Sequence, residues 1–147
     1  MTDTTLAPWL APVVFSALFV ALWVGVSLGL AGAGWRAFAR RHPATTVPTG
    51  PVYTAWYARF RSLFAGYRNV VRVACLPQGL HCSAMFLFRP GHPPFVVPWA
   101  SVVRAEHQAL IVGSCYEVDI EDSAGTLRLR LPPAAAAEID VHRARRR

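Results

Sequence analysis

The sequence contains no lysine, and no charged side chain of any kind lies between Asp3 and Arg36. Within this interval the residues from Pro12 to Gly34 are almost all apolar and read VVFSALFVALWVGVSLGLAGAG after the proline. About twenty apolar residues in a helix span the roughly 30 Å hydrocarbon core of a bilayer. The absence of charge therefore predicts a single transmembrane helix over residues 12–34, preceded by a short N-terminal segment, residues 1–11.

Two other interpretations of residues 12–34 are a cleaved signal peptide and a buried core helix. A cleaved signal peptide normally has a positive N-terminal region and an apolar core of about 7 to 15 residues, whereas this chain begins MTDTT and carries its basic residues after the apolar run. Ala31-Gly32-Ala33 nevertheless resembles a cleavage site. A buried core helix is disfavoured because the remaining chain is too small to surround a helix that is apolar on every face.

Basic residues flank the C-terminal end of the stretch. Arg36, Arg40 and Arg41 follow it, and Asp3 is the single charged residue before it. Positively charged flanks remain in the cytoplasm, so we expect the N-terminus outside and the C-terminal domain in the cytoplasm. The residues expected to contact the membrane surface at this end are Trp35, Arg36, Arg40 and Arg41, with Trp9 and Phe38 as further aromatic anchors.

Small residues recur at every fourth position of the predicted helix: Ala17, Ala21, Gly25, Gly29 and Ala33. Small side chains let a second helix approach closely, and association then depends on van der Waals packing. This small-residue stripe predicts a helix partner, either a membrane protein or a second copy of the chain. The alternative is that alanine and glycine are simply abundant in this sequence.

Cysteine is scarce. Cys75, Cys82 and Cys115 are odd in number and form no CxxC pair, which argues against a disulfide framework and against a standard zinc site. His81 cannot activate Cys82, because adjacent residues of a strand point to opposite faces. The sequence also lacks GxSxG, HExxH, a phosphate-binding glycine loop and a dinucleotide-binding fingerprint. We therefore predict no catalytic residue, no cofactor and no metal site.

The net charge of +7 lies in two clusters. The first is the juxtamembrane group, and the second is a basic tail, residues 143–147, which contains Arg143, Arg145, Arg146 and Arg147. The other arginines are matched in number by acidic residues. The tail can contact anionic headgroups at the membrane surface, bind another acidic partner, or simply be solvated. We expect no specific binding of nucleic acid.

The rest of the chain divides into two parts. Residues 35–51 form a juxtamembrane basic segment and a proline-rich linker, and residues 52–142 form one small domain. Val52, Trp56, Phe60, Leu63, Phe64 and Tyr67 recur with helical spacing. This pattern predicts a helix over Val52–Tyr67, either packed on the domain or lying on the membrane.

From Val70 the hydrophobic period changes to two, which predicts antiparallel strands. A first hairpin turns at Pro77-Gln78-Gly79, with Val71, Val73 and Cys75 on one face. In a second hairpin, Ile120 faces Leu127, Val118 faces Leu129 and Tyr116 faces Leu131. Its other face carries two exposed ion pairs, Asp119 with Arg128 and Glu117 with Arg130, and Cys115 falls on this charged face.

Between the hairpins lies a proline-rich segment. Prolines cannot donate ladder hydrogen bonds, so Phe95, Val96 and Val97 are predicted at a sheet edge that can accept a partner's strand. Trp99 is predicted either as a core anchor or as an exposed binding residue at that edge. His92 is expected to be exposed in the preceding loop and to hold it by a hydrogen bond. The alanine-rich segment after Pro132-Pro133 predicts a short C-terminal helix. The predicted fold class is α+β, with a preceding helix, a small antiparallel β-barrel or bent sheet, and a closing helix.

Several phrases resemble a group of small uncharacterised bacterial membrane proteins. They are residues 67–73 (YRNVVRV), 79–83 (GLHCS) and 88–103 (FRPGHPPFVVPWASV), with residues 35–43 (WRAFARRHP) fitting the same group. The strand order and the Pro-Trp turn are also similar to pleckstrin-homology-like and GRAM-like domains. The resemblance implies a bent barrel at the bacterial inner membrane and no established activity. It does not carry over a phosphoinositide site, because the first hairpin turn has only His81 nearby and no arginine.

These observations favour a non-enzymatic interaction module that is anchored in the membrane as an accessory subunit or adaptor. Its partners are then the lipid bilayer and a membrane protein or second copy. The alternative is a module that engages anionic lipid through Arg59, Arg61 and the basic tail. A third hypothesis is an enzyme that depends on Cys82 or Cys115.

Overall fold

The computed structural model describes residues 8–61 and 66–145 and has an α+β fold. The helices are α1 (Leu10–Leu30), a π-helical turn (Ala31–Trp35), α2 (Arg36–Arg41) and α3 (Ala136–Ala144). The strands are β1 (Val52–Thr54), β2 (Tyr57–Phe60), β3 (Gly66–Tyr67), β4 (Val71–Leu76), β5 (Gly79–Ala84), β6 (Phe95–Pro98), β7 (Val102–Ala109), β8 (Ser114–Asp122) and β9 (Gly125–Leu131). The long apolar N-terminal helix and the short C-terminal helix confirm two of the predicted elements.

The strands form two antiparallel sheets. One has the order β1-β4-β5-β6 and the other has the order β3-β2-β9-β8-β7. The described strands do not close into a barrel, so the prediction of a barrel or a single bent sheet is corrected to two separate sheets. Their apolar faces enclose one core, which includes Val73, Cys82, Val118 and Leu129.

Both predicted hairpins are confirmed, the β4–β5 hairpin by its turn and the β8–β9 hairpin also by its register. In the β4–β5 hairpin, Val71 pairs with Ala84, Val73 with Cys82 and Cys75 with Leu80. In the β8–β9 hairpin, Tyr116, Val118 and Ile120 face Leu131, Leu129 and Leu127. Strict alternation of apolar and polar residues specifies such registers, because a shift by one residue would turn every apolar side chain toward water.

The predicted helix over Val52–Tyr67 is wrong. This segment forms β1 and β2, and Ala55 and Trp56 between them pass the chain from one sheet to the other through bonds to Val71 O and Arg130 O, both 2.8 Å. The apparent helical face is not a buried face, since Val52 is 50% and Trp56 is 42% exposed. Pairing of these short segments with β4 and β9 overrides their local spacing. Leu63 and Phe64 lie outside the described residues.

A sharp bend at Gly34 joins the apolar helix to α2. Gly34 has φ +153°, and a Cβ at this position would lie 2.5 Å from Cβ of Phe60. Only glycine combines this backbone conformation with so close an approach. The bend turns Phe38 of α2 into the core, where it is 1% exposed and contacts the rings of Phe60 and Phe95.

Candidate functional site

The N-terminal helical region from Leu10 to Arg41 is long and apolar enough to cross a membrane. Only 6% of its most apolar 18-residue window is buried within the protein. A signal sequence near the N-terminus satisfies the same criterion, so length and composition alone establish one long apolar helix. Its side-chain environment distinguishes its two faces.

One face of α1 packs against the domain at the loop between β5 and β6. Trp23 Nε1 donates a hydrogen bond to the carbonyl of Leu87 at 2.9 Å, and Ser27 Oγ donates to the carbonyl of Pro90 at 2.9 Å. The Trp23 ring also lies 4.9 Å from that of Phe88. Because Ser27 and the following Ala31 are buried, the last turns of the apolar helix form part of the domain. These contacts were not foreseen, although a tryptophan and a serine inside an apolar run were a sequence signal for them.

Trp35 lies in the centre of this junction. It is fully buried, its Nε1 donates to the carbonyl of Pro93 at 2.8 Å, and its ring meets those of Phe60, Tyr67, His92 and Phe95 at 5.0 to 5.8 Å. The predicted headgroup contact of Trp35 is therefore replaced by a core position, and the same holds for Phe38. Both side chains are large and apolar, and the bend at Gly34 directs them between the two sheets. Trp9 at the other end of the helix remains 63% exposed.

His92 links the helix to the domain and is buried, contrary to the prediction that it is exposed. Its Nδ1 lies 3.0 Å from Pro90 O and 3.5 Å from Ser27 Oγ, and its Nε2 lies 2.9 Å from the Tyr67 hydroxyl. Desolvation lowers the pKa of His92, and nearby Arg36 acts in the same direction. Burial raises the pKa of Tyr67 to about 12. A neutral imidazole that donates from Nδ1 and accepts the Tyr67 proton at Nε2 satisfies all of these groups.

The small-residue stripe occupies the opposite face of α1. Ala17, Ala21, Gly25 and Gly29 are exposed and Ala33 is partly buried. A Cβ added at Gly25 or Gly29 would have no other atom within 4 Å. At 100° per residue, Gly25 and Gly29 lie about 160° around the helix from Ser27. The domain therefore covers one face and leaves the stripe open along the helix.

Strand β6 is an edge of its sheet, as predicted, but this chain already covers it. Phe95, Val97 and Trp99 are buried, and Val96 N–H donates to the carbonyl of His42 at 2.9 Å. Pro94 before the strand and Pro98 at its end have no N–H to donate. The edge therefore lacks the row of free donors and the exposed pockets that strand addition requires, which corrects the predicted binding surface.

A cleft of about 600 Å³ lies between the linker that follows α2 and the outer face of the β4–β5 hairpin. Its basic lining residues are Arg72, Arg89, His81 and His92, and hydroxyl groups come from Thr45, Thr46 and Ser83. No carboxylate is among the described lining residues. Arginine side chains and hydroxyl groups together suit an anion such as a phosphate. Desolvation lowers the pKa of buried His81, so Arg72 and Arg89 supply the positive charge.

The three cysteines are free and buried. Burial raises the pKa of both Cys75 and Cys82 to about 12, which keeps them as thiols, whereas a reactive cysteine is an accessible thiolate. His81 points to the opposite face of β5 from Cys82, as expected for adjacent strand residues. Within the described residues, no group of three His, Cys, Asp or Glu side chains is placed to hold a metal ion.

The charged face of the β8–β9 hairpin forms the predicted ion pairs. Arg128 Nε lies 2.6 Å from Asp119 Oδ1, and Arg130 Nε lies 3.0 Å from Glu117 Oε2. The prediction that both ion pairs are exposed is wrong for Glu117, which is only 7% exposed. Cys115 on the same face is fully buried. Both carboxylates are bound by cross-strand arginines, so neither is free to act as a general acid or base.

The basic residues that were assigned to the membrane surface have different surroundings. Arg36 is half-buried, Arg40 is exposed, and Arg41 Nε lies 3.4 Å from Asp122 Oδ1. Arg143 donates to the carbonyl of Ala105 at 3.3 Å, so it contacts β7. Arg145 follows α3 and is exposed, whereas the Arg146 and Arg147 predictions lie outside the described residues. Arg59 and Arg61 border a second surface depression that also contains Asp119 and Glu121.

No protein-family model, curated protein or solved structure matches this chain. The resemblance to small bacterial membrane proteins with a pleckstrin-homology-like domain stays a prediction.

Proposed function

We propose that this protein is a non-enzymatic interaction module, anchored in the bacterial inner membrane by α1, with its domain on the cytoplasmic side as an accessory subunit or adaptor. The observation that carries this proposal is the division of α1 into two faces. The domain packs through Trp23, Ser27 and Ala31, and the small-residue stripe on the far side stays free for a second helix. A helix that met only lipid would need neither arrangement.

The same packing supports a retained anchor over a cleaved signal peptide. Cleavage after Ala33 would remove Trp23, Ser27 and Ala31, and with them the hydrogen bonds to the carbonyls of Leu87 and Pro90 and the buried contact of Ala31. Each lost hydrogen bond and each lost apolar contact lowers the stability of the domain. The burial of the three thiols likewise favours an interaction module over a cysteine-dependent enzyme.

The test of this proposal is the native mass of the full chain, extracted from its membrane in mild detergent, with identification of any bound protein by mass spectrometry. We expect a stoichiometric complex with a membrane protein or a second copy. The double substitution Gly25→Ile and Gly29→Ile should abolish the complex, because added side chains prevent close approach of the helices. Val20→Ile, at an exposed position outside the stripe, is the matched control. A monomeric wild type, or a complex that survives the double substitution, would contradict the proposal.

A second candidate function, engagement of an anionic headgroup, is favoured by the basic cleft. In this function Arg72 and Arg89 bind the headgroup, in place of Arg59, Arg61 and the basic tail, which the sequence predicted. The full chain in detergent should retain anionic phospholipid over zwitterionic phospholipid in native mass spectrometry. Arg72→Gln with Arg89→Gln should abolish this preference, and Arg59→Gln should preserve it. Equal retention of the two lipids by the wild type would exclude this function.

A further inference from the structure

The loop between β5 and β6, Met85–Gly91, exposes two large apolar side chains beside the apolar helix. Phe86 is 78% and Leu87 is 60% exposed. Along the axis of α1, Leu87 lies at the position of Trp23 and Pro90 at the position of Ser27. Gly91 lies beside Leu28 and Ala31. The loop therefore runs along about two turns of α1, with its tip toward the middle of the helix.

The length of α1 determines where this loop lies relative to a bilayer. The shortest spanning helices use about 17 apolar residues, and counting from the helix start at Leu10 reaches Val26. The edge of the hydrocarbon region then lies no closer to the N-terminus than Ser27. Trp23 lies four residues before Ser27, which is about 6 Å deeper at 1.5 Å per residue. The loop tip at Leu87 is bonded to Trp23 and must share this depth.

The alternative placement, with the whole loop in water, is inconsistent with a spanning helix. If the membrane ended before Trp23, only Leu10–Leu22 would remain in lipid. These thirteen residues would extend about 20 Å, well short of the roughly 30 Å hydrocarbon core.

Most carbonyls of the loop are hydrogen-bonded, which lowers the cost of an apolar environment, where each unpaired polar group is costly. Within the loop, the carbonyls of Met85, Phe86 and Arg89 accept backbone N–H groups of Phe88, Arg89 and His92 at 2.9 to 3.2 Å. The carbonyls of Leu87 and Pro90 point to the helix and accept Trp23 Nε1 and Ser27 Oγ. Pro90 has no N–H of its own. These bonds pair five of the seven carbonyls of Met85–Gly91, two of them with polar side chains on this face of α1.

Arg89, at the base of the loop, indicates how deeply the loop enters the membrane. It is exposed and lines the basic cleft, and its guanidinium carbon lies 5.9 Å from the centre of the Phe86 ring. Arginine side chains near a membrane extend toward the headgroups while their stems stay among apolar groups. This places the guanidinium at headgroup level and the Phe86–Leu87 tip below it.

We infer that Met85–Gly91 is a membrane-embedded loop, whose Phe86 and Leu87 side chains enter the hydrocarbon of the same leaflet that α1 leaves, beside Trp23. The inference rests on the proposed membrane anchoring and adds a second point of attachment. The occupant of the exposed apolar patch is the lipid bilayer, because the patch is continuous with the lipid-facing helix. Two attachments would fix the orientation of the domain on the membrane.

The test measures the depth of spin labels in the full chain reconstituted into vesicles of phosphatidylcholine and phosphatidylglycerol. Labels are placed singly by Leu87→Cys in the loop, Leu22→Cys on the exposed side of the helix and Gln78→Cys at the opposite end of the β4–β5 hairpin. The native thiols are buried and are left in place. Collision with oxygen, which concentrates in lipid, is compared with collision with a water-soluble nickel chelate.

We expect the label at Leu87 to lose nickel accessibility and to gain oxygen accessibility, as at Leu22, while Gln78 stays accessible to nickel. A lipid signal at Leu22 with a water signal at Leu87 would overturn the embedded loop and leave the anchor intact. Water signals at both positions would overturn the anchor itself. A lipid signal at Leu87 alone would also overturn the inference, since it would separate the loop from the helix. Phe86→Cys repeats the measurement at a neighbouring exposed side chain, should Leu87→Cys fail to fold.

Discussion

The two faces of α1 belong to one uncharged, largely apolar run but have opposite surroundings. The face with Trp23, Ser27 and Ala31 contacts the domain through specific hydrogen bonds and close packing. The face with Gly25 and Gly29 contacts nothing within the described chain. Hydrophobicity alone therefore does not assign a function to a helix face. The hydrogen bonds of Trp23 and Ser27 identify the face that packs on the domain. The small residues Gly25 and Gly29, which contact no other segment, identify the open face.

Replacement of the buried tryptophan at the base of the helix should have the largest effect. Trp35→Ala should lower the free energy of unfolding by about 3–5 kcal/mol, because it empties a site surrounded by four aromatic rings. Trp9→Ala, at the exposed end of the same helix, should change it by less than about 0.5 kcal/mol. Urea unfolding of the full chain in mild detergent measures both. Equal effects would show that Trp35 is not a core residue.

The contact between the loop and the helix can be probed at Gly91. Gly91 has φ +75° and a Cβ there would lie 2.7 Å from Cδ2 of Leu28, whereas Gly113 has φ +80° and open space. Ala at either position strains the backbone by about 1–2 kcal/mol. Gly91→Ala should cost about 1 kcal/mol more than Gly113→Ala, because Leu28 must also move. The same unfolding measurement gives the difference, and its absence would mean that the loop does not pack on the helix.

The junction should also weaken in acid. The pKa of His92 is lowered from 6.5 by burial, so the folded state binds a proton less readily than the unfolded state does. The contribution of His92 is complete above pH 6.5 and is lost as the pH falls through its lowered pKa. Thermal unfolding between neutral and mildly acidic pH should show this decline.

His92→Gln should make that decline shallower, although His81, whose pKa is also lowered, will contribute a part of it. His107→Gln, which removes an exposed histidine, is the matched control for the loss of a histidine side chain. An unchanged slope in the His92 variant would contradict the assignment of a buried neutral imidazole.

The smallest expected effect is that of Ser27→Ala, about 1 kcal/mol, since it removes one hydrogen bond to Pro90 O while His92 still approaches the same carbonyl. Ser16→Ala is matched to it, because the Ser16 hydroxyl is exposed and donates to Pro12 O within its own helix. The Ser16 variant should be close to wild type in the unfolding assay. A larger loss at Ser16 than at Ser27 would reverse the proposed difference between the helix faces.

Regular alternation was the reliable sequence signal. The β8–β9 register could be derived residue by residue, because apolar and charged side chains alternate without interruption from Tyr116 to Ile120 and from Leu127 to Leu131. The segment over Val52–Phe60 could not, because its strands have only three and four residues. Such short segments take their structure from the strands that they pair with.

The candidate site was less predictable than the fold. The small-residue stripe was visible in the sequence because it depends only on helical spacing. The basic cleft was not, since it joins Thr45 of the linker, Arg72 of β4 and Arg89 of the β5–β6 loop, and no local pattern relates these residues. The burial of His92 was missed for the same reason, because its neighbours Ser27 and Tyr67 are 65 and 25 positions away.

One long apolar helix, two hairpins, the β8–β9 register and a closing helix follow from the sequence alone, since each depends on a local pattern among near neighbours. Contacts between distant segments place Trp35 and Phe38 in the hydrophobic core, divide the strands into two sheets and cover one face of α1 with the domain. A periodic pattern indicates that a side chain is buried. Which group buries it depends on contacts with segments that are distant in the sequence.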